Sequence, residues 1–147
     1  MMTKRNIILA VVAILVVMQF FRIDKSNPTA DPAKDFITVE NPPAAMATIL
    51  KDACYDCHSY HTKYPWYTNI APVSWWIKGH IDHGVEHLNF SAWTDYDADK
   101  RNHKLEEIAE EVEEKHMPLK SYTWLHPEAK MSDEQRTAME EWAKSKM

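Results

Sequence analysis

Cysteine is nearly absent from this chain: only two of its 147 residues carry a thiol. A structural zinc site commonly gathers four Cys/His ligands from two separated pairs, so without a second cysteine pair zinc is the weaker reading. Basic patches are lacking as well. Lysine and arginine total 17 against 22 acidic residues, a net charge of −5, which excludes nucleic-acid binding in spite of the many aromatics. No segment shows convincing strand alternation, and without an α/β pattern a thioredoxin-like dithiol lacks its usual strand-to-helix setting. No A-x-A-like pattern ends the N-terminal apolar run, which argues against a cleaved signal peptide, and no cysteine follows it, which excludes the usual lipoprotein.

The two cysteines that are present lie in Cys54-Tyr55-Asp56-Cys57-His58. This is the attachment signature of c-type haem. Two thiols one helical turn apart can each form a thioether to a haem vinyl group, and the next histidine then lies under the iron as proximal ligand.

Attachment of this kind takes place outside the bacterial cytoplasm, so the N-terminus should carry an export signal. Lys4 and Arg5 precede an apolar run from Ile7 to Phe21, interrupted by Gln19. Fifteen positions at ~1.5 Å each span roughly 22 Å, short of a ~30 Å hydrocarbon core unless Asn6, Arg22 and Ile23 contribute at the interface. The reading is an uncleaved signal anchor over 1–23, a single transmembrane helix that leaves the protein in the inner membrane with its C-terminal domain in the periplasm. Residues 24–41, with Pro28 and Pro32 among Ser, Asn, Thr and Asp, read as linker. Residues 42–147 then form one small domain.

That domain reads as mainly α, a cytochrome c-like helical fold around one covalent haem. Ala44 to Ala53 predicts a helix with Met46, Ile49, Leu50 and Ala53 on one face, delivering Cys54 at its end. Ser132 and Gln135 form a capping box for a C-terminal helix with a stripe of Ala138, Met139, Trp142 and Ala143. In a cytochrome c-like fold these two helices pack together. Between them, Leu105, Ile108, Ala109 and Val112 form the apolar stripe of a helix whose other face holds six glutamates from Glu106 to Glu114, a solvated face or a patch for a basic redox partner. Pro118 ends this helix near His116.

Met117-Pro118 is the second chemical signal. A methionine held in extended backbone after a helix can present its sulfur to the open axial site of a haem iron. Its competitors are His116 and the row His80, His83 and His87, spaced i, i+3, i+7 as for a metal or second haem-ligand cluster. Gly79 and Gly84 weaken that helix, and His61, His103 and His126 have no assigned role. Aromatics such as Tyr64, Trp66, Tyr67, Trp75, Trp76, Phe90, Trp93, Tyr96, Tyr122 and Trp124 can wall a flat apolar cofactor.

Ordered blocks along the chain carry a resemblance: QFFR at Gln19 to Arg22, CYDCHS at Cys54 to Ser59, YPWY at Tyr64 to Tyr67, VSWWI at Val73 to Ile77, LNFS at Leu88 to Ser91, HKLEEI at His103 to Ile108, MPL at Met117 to Leu119 and HPEA at His126 to Ala129. The chain resembles the small haem-binding domain family of bacterial envelope proteins, a cytochrome c-like group. The resemblance implies haem on Cys54 and Cys57, His58 as proximal ligand and Met117 as distal one. It implies a cofactor more firmly than a role. A membrane-tethered carrier of single electrons between redox partner proteins is the expected function; the alternatives are a haem-based sensor or a peroxidase-like enzyme with a displaceable sixth ligand.

Overall fold

The structure, a computed structural model, describes residues 3–147, and among these the regular elements are all helical. Eight α-helices follow in order: α1 (Lys4–Met18), α2 (Phe36–Glu40), α3 (Ala44–Ala53), α4 (Tyr55–His58), α5 (Val73–His87), α6 (Ala98–Glu113), α7 (Lys120–Leu125) and α8 (Asp133–Lys144). Short 3₁₀ turns at Pro32–Lys34, Trp66–Asn69, Phe90–Asp95 and Pro127–Ala129 connect them.

The expected transmembrane helix is overturned. α1 has 15 residues, about 22 Å of helix against a hydrocarbon core of ~30 Å. No helix among the described residues is long and apolar enough to cross a membrane. Gln19 to Phe21, counted in the apolar run, leave the helix in a turn. The Gln19 amide is instead tied to the backbone of Ala71, donating to its carbonyl and accepting from its N–H at 3.0 Å each. The single-pass placement in the inner membrane, with the C-terminal domain in the periplasm, falls with that helix. Met1 and Met2, part of the same 1–23 segment, lie outside the described residues.

The segment 24–41 is also more than a linker. Asp35 caps α2 by accepting from the Ile37 N–H at 3.0 Å, and Phe36 is fully buried against Phe90 and Trp93, with ring centroids 4.7 Å away in both cases. Trp93 in turn donates its indole N–H to Glu40 at 2.7 Å. One large aromatic in a proline-rich stretch gives no period to read, so its burial leaves no trace in the local pattern.

The expected helical stripes are in place. Leu105, Ile108, Ala109 and Val112 of α6 are buried, and so are Met46 and Leu50 of α3 and Met139 and Ala143 of α8. Ala138 is exposed and Trp142 half-buried. The Ser132–Gln135 capping box forms as read. The helix pairing differs from the expectation: α8 packs chiefly along α6, and α3 joins the same core through Met46 and Leu50. α6 stops at Glu113, short of His116, because Lys115 turns the chain with a φ of 62°.

Candidate functional site

The motif is built where two helices meet. Cys54 closes α3 by donating its N–H to Leu50 O at 3.0 Å, and its own carbonyl accepts from the N–H groups of Cys57 (3.2 Å) and His58 (3.0 Å). One tight turn therefore presents both thiols and the imidazole. Burial pushes the Cys54 thiol up to about 12 and the Cys57 thiol to about 11, so both are neutral S–H groups at neutral pH.

α5 backs this turn at very close range. A Cβ at Gly84 would run into the carbonyl oxygen of Cys57 and lie 3.1 Å from its carbonyl carbon. Gly84 thus lets the helix touch the motif, whereas the sequence suggested only a weakened helix. The contact brings the Gly84 and Leu88 carbonyls to His58 Nδ1 at 3.0 and 3.2 Å. Both are acceptors, so Nδ1 carries the proton and Nε2 keeps its lone pair for a ligand or metal. Burial lowers the His58 pKa below its ordinary value, against the pull of the two carbonyls, and favours that neutral form.

Asp56, between the cysteines, is buried and bonds to the loop after the motif and to α7. Its carboxylate accepts from Lys63 N–H at 3.2 Å and from Tyr122 O–H at 2.9 Å. The Tyr122 hydroxyl also reaches Asp52 O at 3.2 Å, fastening α7 to the end of α3.

Met117 is supplied by the segment that follows α6. Its N–H bonds to Glu111 O at 3.0 Å, and the Arg136 guanidinium donates to Val112 O at 2.8 Å and Met117 O at 2.7 Å. A cation from α8 therefore neutralises the loose carbonyl end of α6 and pins the methionine backbone in one contact.

Between these parts lies a mostly apolar cavity of about 460 Å³, and Cys54, Cys57, His58 and Met117 all line it. Phe90, Ile108, Val112, Leu119 and Tyr122 add apolar wall. His80, His83 and His87 border it too, but the His83 and His87 rings stack on each other at 4.1 Å. Among the described residues no group of three His, Cys, Asp or Glu could hold a metal ion, so the row is not a metal site on its own. His116 turns outward to Glu111 and Glu114. His61 stacks near Tyr55 and His103 pairs with glutamates of α6. His126 joins a separate cluster with Tyr67.

A flat apolar group fits this donor set: two neutral thiols on one edge, a neutral imidazole with a free Nε2, and a thioether in the same apolar cavity. Gly84 and Arg136 were missed in the sequence. Neither carries a local signal, since each acts on a residue 19 or more positions away.

A family model described as a haem-binding domain matches residues 13–145. No curated protein and no solved structure matches the chain.

Proposed function

Because the chain belongs to the haem-binding domain family and is a haem-binding protein, we propose that it works as a monohaem c-type cytochrome that carries single electrons between redox partner proteins. The observation that carries this reading is the common cavity of Cys54, Cys57, His58 and Met117. When bound, the haem supplies a one-electron Fe(III)/Fe(II) couple.

The chain's own residues do the rest. Cys54 and Cys57 would hold the haem as thioethers, each S–H adding across a vinyl group with no net oxidation. His58 offers Nε2 while the Gly84 and Leu88 carbonyls fix its ring through Nδ1, a second contact that raises ligand basicity. Met117, with its backbone pinned by Arg136, offers a thioether that favours ferrous over ferric iron relative to a second imidazole. The apolar walls of the cavity would limit the access of water to a bound haem and so tune its potential.

Redox titration of the purified protein, with spectra into the near infrared, tests this. The expected result is a low-spin spectrum with the methionine-to-ferric charge-transfer band, lost in Met117→Ala. A haem that dissociates from the denatured chain would overturn covalent attachment, and a band that survives Met117→Ala would overturn the distal ligand.

A further inference from the structure

A second cluster sits behind the cavity wall. Tyr67 O–H meets His126 Nε2 at 2.5 Å, and His126 Nδ1 lies 3.1 Å from a carboxylate oxygen of Glu128. The carboxylate only accepts, so Nδ1 carries the proton and Nε2 accepts from the phenol. The His126 side chain is only 13% exposed. Its ring stacks on that of Tyr122 at 4.2 Å, 12° from parallel, and Tyr122 lines the haem cavity. On the far side, Trp66 packs edge-on against Tyr67 at 5.9 Å and is 73% exposed. Aromatic groups thus run from the cavity to the surface, with one phenol along them hydrogen-bonded to a base.

A phenol is a hard one-electron donor while it must keep its proton, and a good one when a base takes the proton in the same step. Burial, with nearby carboxylates and the Cys57 thiol, raises the Tyr67 pKa, so the phenol is protonated at neutral pH. An imidazole, ordinarily ~6.5, is a far better acceptor than a carboxylate at ~4. Tyr122 has only the Asp56 carboxylate and a backbone carbonyl to give its proton to.

We propose that Tyr67, His126 and Glu128 form a proton-coupled redox site that supplies single electrons when a peroxide oxidises the bound haem. The Tyr67 O–H bond breaks, the electron leaves through Tyr122 to the oxidised centre, and the proton forms an N–H bond on His126 Nε2. The Glu128 carboxylate offsets the imidazolium charge through Nδ1–H. A one-electron reductant such as ascorbate, reaching exposed Trp66, restores the phenol as the proton returns from His126. Two such turns, with two protons from the reductant, complete the reduction of one hydrogen peroxide to two waters. The site serves turnovers in which peroxide reaches the iron. It rests on haem binding, and it requires that the distal ligand, Met117 in the proposed function, be displaced when peroxide arrives.

The haem-loaded chain is oxidised in one arm by photogenerated tris(bipyridine)ruthenium(III) and in the other by hydrogen peroxide, then frozen and read by electron paramagnetic resonance. Both arms should give a neutral tyrosyl radical that is absent in Tyr67→Phe and present in Tyr122→Phe. Its formation should slow in D₂O and in His126→Gln, and also in Glu128→Gln, a surface change that keeps the test open should the histidine variant fail to fold. A radical that persists in Tyr67→Phe, or that forms at the wild-type rate in these proton-relay variants, overturns the proposal. A radical with ruthenium but none with peroxide overturns its link to the haem.

Discussion

One methyl group separates what the two glycines of α5 can tolerate. At Gly79 an added Cβ meets nothing within 4 Å, and at Gly84 it strikes the Cys57 carbonyl. Alanine in an open helix interior is favoured over glycine by roughly 0.5–1 kcal/mol. Gly79→Ala should therefore raise stability by about that much in urea unfolding, while Gly84→Ala should lower it by about 1–3 kcal/mol through the forced shift and disturb His58, whose ring rests on the Gly84 carbonyl. Equal effects at both sites would contradict the close approach. Asp56 is the other decisive single residue. A buried carboxylate next to the cysteine turn would favour the ferric state of a bound haem by Coulomb attraction. Asp56→Asn should raise the midpoint potential by on the order of tens of millivolts, and redox titration showing a fall would refute that sign.

At the scale of elements, the α6–α8 pair does more than build core. Arg136 on α8 spans the end of α6 and the Met117 carbonyl, two charge-assisted bonds whose loss costs ~1–3 kcal/mol. Arg136→Gln should weaken the methionine charge-transfer band while intact mass still shows haem attached; an unchanged band would mean that the arginine has no part in placing Met117. What could be read from the sequence follows from how local each signal is. The Cys54–His58 motif, the Ser132 capping box and the α6 stripe are written within a few neighbouring positions, and they were legible. The α6–α8 pairing was not, because either stripe could meet any apolar partner. The N-terminal run misled for a related reason. Hydropathy counted Phe20 and Phe21 as helix, but the Gln19 amide spends its hydrogen bonds on Ala71, 52 residues away.

For the whole molecule, the cofactor cavity and the fold share one titration. His58 is buried and its pKa lies below the ordinary value, so below about pH 6.5 the unfolded chain binds a proton that the folded chain resists. Stability is therefore full above that pH and is lost as the pH falls through ~6.5 toward the folded value. Phe36, Trp93 and Met139 do not line the cavity, although Phe90, Ile108 and Val112 belong to both core and cavity wall, and this packed interior lets a haem-free chain such as Cys54→Ser/Cys57→Ser keep a folded centre. Its cavity of about 460 Å³ then forgoes the apolar contacts a haem would supply, so its melting temperature should fall below that of the loaded protein. Thermal melts by circular dichroism at pH 7.5 and pH 5 separate the two contributions. The haem-free chain should lose further stability on acidification, and adding His58→Gln should flatten that loss, since glutamine has no proton to gain. An acid loss of the same size with and without His58 would assign the pH dependence to other groups and detach the motif histidine from the stability of the fold.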